Sequence, residues 1–127
     1  MADSDYLNFF KRGINDGKWH IIHDGESSLV VMSLHIVNPT IHEGVFTLAL
    51  GSEDVTPTQG QDAIDSDGAV IPDDTQSILF SDLLEPSEYT YLDVASGGKL
   101  LLAEGSKLAV AISQADLEVS VTGMKGV

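Results

Sequence analysis

Four histidines, 20 acidic residues and no cysteine make up the chain's reactive inventory. His20 and His23 stand three positions apart, so in a regular strand they face opposite sides of a sheet, and the His-x-His spacing that sets two imidazoles on one face is absent. His35 and His42 flank the turn Asn38-Pro39-Thr40, and Glu43 is the one carboxylate that spacing places beside them. A metal site needs several converging donors, so the expectation is ordinary surface and turn histidines and no metal. Asp65-Ser66-Asp67-Gly68 carries part of a calcium-loop pattern. The full pattern asks for an oxygen ligand where Ala63 stands and a Glu where Asp74 stands, so the segment fails as an EF-hand. A solvated turn is expected there, with adventitious calcium the alternative.

Nucleophilic and glycosidic chemistry find no better footing. The serines lie in no Gly-x-Ser-x-Gly setting, cysteine is missing, and nothing singles out two carboxylates from the 20 acids. The chain is therefore read as a non-enzyme without cofactors. Trp19, Tyr89 and Tyr91 are the aromatics a sugar-binding platform would draw on. Tyr89 and Tyr91 share a face by alternation, and they read as sheet-surface or interface residues.

The elements that would position any such site are strands. Short runs of alternating apolar and polar residues, separated by Gly, Pro, Asn and Asp, predict strands over 18–23, 29–37, 45–50, 77–81, 89–94, 99–103, 108–112 and 117–122. Within 29–37 the alternation puts Val30, Met32, Leu34 and Ile36 on one face and Leu29, Val31, Ser33, His35 and Val37 on the other. Phe46, Leu48 and Leu50 share a face in the next strand, which follows the Asn38-Pro39-Thr40 turn as a hairpin partner. Leu108, Val110 and Ile112 alternate with Ala109 and Ala111. Leu117, Val119 and Val121 alternate with Glu118, Ser120 and Thr122, across a hairpin connection Ser113-Gln114-Ala115-Asp116. Seven or eight such strands predict an all-β fold, a single antiparallel β-sandwich of immunoglobulin-like or jelly-roll-like type spanning 1–127.

Two segments stand outside this rhythm. Residues 51–76 form a long acidic loop, either a functional excursion or a partly disordered flap, and the apolar stretch Ala69-Val70-Ile71 within it favours docking onto something. The N-terminal segment, 1–17, contains Tyr6-Leu7-Asn8-Phe9-Phe10 beside Lys11-Arg12, two of only six basic residues. A helical turn, an edge strand or an arm all fit that segment, and it serves either as a flap closing one end of the core or as an arm to a neighbouring subunit.

A formal charge of −14 repels phosphate backbones and anionic lipid, so no nucleic acid and no membrane partner is expected. Met1-Ala2-Asp3-Ser4-Asp5 is acidic where a signal peptide would be basic and then apolar, so none is expected.

The stretch Asp24-Gly25-Glu26-Ser27-Ser28 leading into 29–37 and Asn38, then 45–50, resembles the opening half of small β-sandwich structural proteins of tailed-bacteriophage virions. Leu83-Leu84-Glu85-Pro86-Ser87, the Ala- and Val-rich strand and the closing Val121-Thr122-Gly123 continue the likeness; the loop 51–76 departs from it. Apart from any resemblance, a free-standing carbohydrate-binding or adhesion module is an alternative reading; the resemblance implies a capsid decoration or cement subunit, with a tail, connector or baseplate component as its alternative. It implies a virion location after assembly in the host cytoplasm, the major capsid protein or other virion proteins as partners, and a homo-oligomer, a trimer before other forms. Tyr6, Phe9, Phe10, Arg12, Val70, Ile71 and Met124 are the candidate protein contacts.

Overall fold

The computed structural model describes residues 6–52, 57–71, 77–86, 89–92 and 100–126. Their regular structure is all strand: β1 (Tyr6–Ile14), β2 (His20–His23), β3 (Leu29–Val37), β4 (Gly44–Ser52), β5 (Ser77–Leu84), β6 (Tyr89–Leu92), β7 (Leu100–Leu102), β8 (Ser106–Ser113) and β9 (Leu117–Lys125). Two antiparallel sheets result. One has the order β1-β9-β3-β6, with β7 also pairing β3; the other runs β2-β8-β4-β5.

The alternation read from sequence fixes what fills the space between them. Phe46 and Leu48 from β4, Leu108, Val110 and Ile112 from β8, and Leu117, Val119 and Val121 from β9 are buried in one apolar cluster. Each such side chain withdraws enough apolar surface to contribute about 1.5–3 kcal/mol. The opposite face of β8 carries Ala109 and Ala111 between Lys107 and Ser113, and the two alanines are buried with Trp19 in a second, smaller cluster. Small side chains on that face leave room for the indole ring.

Three local irregularities depart from the sequence pattern. In β3, Val31 pairs Gly123 while Ser33 pairs Thr122, so Met32 is an extra residue, a β-bulge. The bulge shifts the pleat by one position. Leu29 and Val31 before it, and Leu34 and Ile36 after it, therefore all reach the core, whereas Met32 is 56% exposed. The expected grouping of Val30 and Met32 with Leu34 and Ile36 is thus corrected. The bulge falls where the outer partner of β3 changes from β7, opposite Leu29 to Val31, to β6, opposite Leu34 to Val37.

A second irregularity corrects the histidine geometry. Ile21 pairs Ala109 and His23 pairs Leu108, which makes Ile22 an extra residue. His20 and His23 oppose Val110 and Leu108 and so lie on the same side of the sheet, not on opposite sides.

The third concerns connections. Strands β3 and β4 do not pair, nor do β8 and β9, because each pair is split between the two sheets. Residues 38–43 and 114–116 are corners that cross the edge of the sandwich, not hairpins. Asn38 fixes the first corner from a fully buried position: its amide donates to the His42 and Leu84 carbonyls, and its Oδ1 accepts from the Thr40 amide and hydroxyl. Gln114 turns the second with φ 78°, a left-handed conformation.

Candidate interaction surface

The face of the five-stranded sheet turned away from the core carries one continuous apolar row. Tyr6 pairs Met124, Met124 pairs Val30, and Val30 pairs Leu101, so the four side chains run across β1, β9, β3 and β7. Tyr6 is 50% exposed and Leu101 66%, and the bulged Met32 stands beside the row. The next register positions are Asn8, Thr122 and Ser33, with Ser33 Oγ and Thr122 Oγ1 2.6 Å apart; then come Phe10, Ser120 and His35. Phe10 is 53% exposed. No acidic side chain occupies any of these positions, although the whole chain has 20. Charge is present at the far end of the sheet, where Arg12 Nε lies 3.7 Å from Glu118 Oε1 and its guanidinium sits 5.3 Å from the Phe10 ring centre.

The structure brings Tyr6, Phe10, Arg12 and Met124 together on this face, but not the other candidates. Phe9 turns inward and packs against the core. Val70 bridges Ile64, and Ile71 donates its amide to the Ala63 carbonyl at 2.8 Å, both on the loop over the other sheet. Val30, Met32 and Leu101 were missed. The bulge, which leaves no mark in the alternation, turns Val30 and Met32 outward, and Leu101 shares their face through its pairing with Val30.

The loop docks on its own molecule. Ala63 and Ile64 are buried on Trp19, which is 1% exposed, and two main-chain bonds tie residues 60 and 61 to Trp19: Gly60 N to Trp19 O at 2.9 Å and Trp19 N to Gln61 O at 2.8 Å. Lys107 holds the loop's near end, its Nζ donating to the Pro57 carbonyl at 2.9 Å. Gly17 holds the middle, its carbonyl accepting from the Ala63 and Ile64 amides. The Asp65-Ser66-Asp67-Gly68 segment is the tip of a tight turn in which Asp65 Oδ1 accepts from the Asp67 and Ala69 amides. Burial of Trp19 removes it as a sugar platform. The side chains of Tyr89 and Tyr91 lie outside the described residues.

Near the β1 and β2 edges, His20 Nε2 lies 3.0 and 3.1 Å from the two carboxylate oxygens of Asp16, and its Nδ1 3.4 Å from Lys11 Nζ. Partial burial pushes the Asp16 carboxyl up, but the Lys18 amide and the bond and charge of His20 outweigh it, so the group is held below its ordinary range. Lys18, bonded to Asp62 at 2.8 Å, is held above its own. His23 Nε2 lies 2.7 Å from the Ser27 carbonyl. Among the described residues no three His, Asp or Glu side chains gather within reach of one metal ion.

Compared with protein-family models, curated proteins and solved structures, the chain matches none.

Proposed function

We propose that the protein is a structural subunit of a virion, a decoration protein that lies on an assembled shell through the outer face of its five-stranded sheet. The observation that carries this reading is the acid-free apolar row Tyr6, Met124, Val30 and Leu101, with Met32 and Phe10 beside it, on a chain of net charge −14. A surface so depleted of charge loses little by desolvation and gains from burial, which is the composition of a docking face. The remaining acidic surface keeps decorated particles apart. Repeated copies on a repeating lattice convert modest single contacts into firm attachment.

The strand order β1-β9-β3-β6 against β2-β8-β4-β5 reads as a jelly roll, with β6 and β7 sharing one edge position. Jelly rolls serve in capsid, lectin and cupin domains, so the architecture is compatible with a virion role, and the acid-free outer face is what favours it.

The test is add-back to shells purified without this protein. Wild type is expected to bind to saturation and raise the temperature at which shells break. Met32→Asp combined with Leu101→Asp is expected to abolish binding while the isolated protein melts as before. Undiminished binding by that variant would remove the reading.

A further inference from the structure

β1 is nine residues long, lies at the end of its sheet, and offers half its backbone N–H and C=O groups to whatever comes alongside. The neighbouring edge, β2, is four residues long and already covered: the Gln59 side chain accepts from the Ile21 amide at 2.8 Å, and Lys18 bridges Asp62. β6 and β7 are four and three residues long; β5, at the end of the other sheet, has eight, and β1, the longest edge strand among the described residues, carries the half-exposed aromatics Tyr6 and Phe10.

We propose that β1 pairs antiparallel with β1 of a second copy, joining the two five-stranded sheets into one continuous sheet about a two-fold axis at Asn8. The register follows from the side chains. Directly opposed residues in a continuous sheet share a face, so outward-facing Tyr6, Asn8 and Phe10 must meet outward-facing partners, and Leu7 and Phe9 must meet each other. With Asn8 opposite its own copy, Tyr6 falls opposite Phe10 and Leu7 opposite Phe9, each twice. Aromatic pairs across strands are among the stabilising ones. Sliding by one pair toward the N-terminus opposes Tyr6 to Asn8 and Leu7 to itself; sliding the other way opposes Leu7 to Lys11 and Tyr6 to Arg12. Charge selects the same direction. Lys11 and Arg12 occupy the second half of β1, so an antiparallel partner keeps the two basic pairs at opposite ends where a parallel, in-register one sets them side by side. The turn of register between Lys11 and Ile14, with Gly13 at φ 69°, ends the regular edge and limits growth beyond the pair.

This pairing is independent of the virion reading and gives a two-fold dimer where the sequence resemblance implies a trimer. The test is cross-linking in a chain that has no cysteine of its own. Opposed α-carbons in an antiparallel pair lie about 4.5–5.5 Å apart, inside the range of about 4.4–6.8 Å that a disulfide spans. Asn8→Cys is expected to form a covalent dimer under mild oxidation. Leu101→Cys, three strands away on the same face, is not. A mixture of Tyr6→Cys and Phe10→Cys is expected to cross-link, while each alone stays monomeric on denaturing gels. Light scattering of the wild type is expected to give twice the 13.5 kDa of one chain. A one-chain mass at all concentrations, a three-chain mass, or an Asn8→Cys yield no higher than that of Leu101→Cys would overturn the proposal. Circular dichroism melts of each variant guard against reading misfolding as dissociation.

Discussion

The ammonium of Lys107 donates to the carbonyl of Pro57 across 2.9 Å, and the lysine is 8% exposed. A residue of β8 thus clamps the near end of the loop that roofs Trp19. Lys107→Met keeps the aliphatic stem and removes the donor. Since a hydrogen bond to a charged group contributes about 1.5–3 kcal/mol, a loss of that order is expected in urea melts. Amide exchange should rise over residues 57–71 more than in the sandwich core, and uniform exchange would contradict the clamp.

Gly17 is the point where the loop crosses the β1 to β2 connection. It has φ 67°, and an added Cβ would stand 2.9 Å from the Ile64 carbonyl oxygen. Gly17→Ala is expected to cost about 1–3 kcal/mol from backbone strain, with more from displacing the loop. The same variant should expose Trp19 to acrylamide quenching, which the wild type resists. A stable variant with unchanged quenching would show that the loop does not press on Gly17.

Asp16 and Lys18 respond to opposite ends of the pH scale. Asp16 is held below its ordinary value of 3.8, so its stabilising contribution is present above that value and is lost as pH falls through its folded-state pKa. Lys18 is held above 10.5, so its contribution is present below that value and is lost in more alkaline solution. Asp16→Asn is therefore expected to melt below the wild type at pH 7, with the gap closing toward about pH 2. A gap that persists in strong acid would assign the effect to packing.

Phe46 and Met32 show how far the sequence could be read. Alternation in 45–50 is unbroken, and Phe46 is in the core, 1% exposed, as that alternation predicts. In β3 a single extra residue reverses the pleat halfway along, and no residue type announces it. Phe46→Ala is expected to cost about 3–5 kcal/mol. Met32→Ala should cost under about 1 kcal/mol, because its side chain stands in solvent. A large loss at Met32 would restore the unbulged register.

The all-β class and the faces of β4, β8 and β9 were legible because strands buried on one side must repeat with period two. Sheet membership was not. A corner such as 38–43 and a hairpin have the same length and the same turn residues, and what separates them is the pairing of β3 with β9 and β4 with β8, many residues distant. The N-terminal aromatics were recognised as contact candidates, but their faces were not, since an edge strand had not been distinguished from an arm. Loop 51–76 was marked by its length, whereas its docking onto Trp19 depended on the small alanines of β8, which read from sequence as ordinary alternation.

The measurement that bears most directly on the proposed function is quantitative mass spectrometry of purified particles from the source, counting this chain against the major shell protein. A fixed ratio near one, or a fixed large fraction, is expected. A handful of copies per particle would move the protein to the tail or connector, and its absence from particles would contradict a virion role altogether.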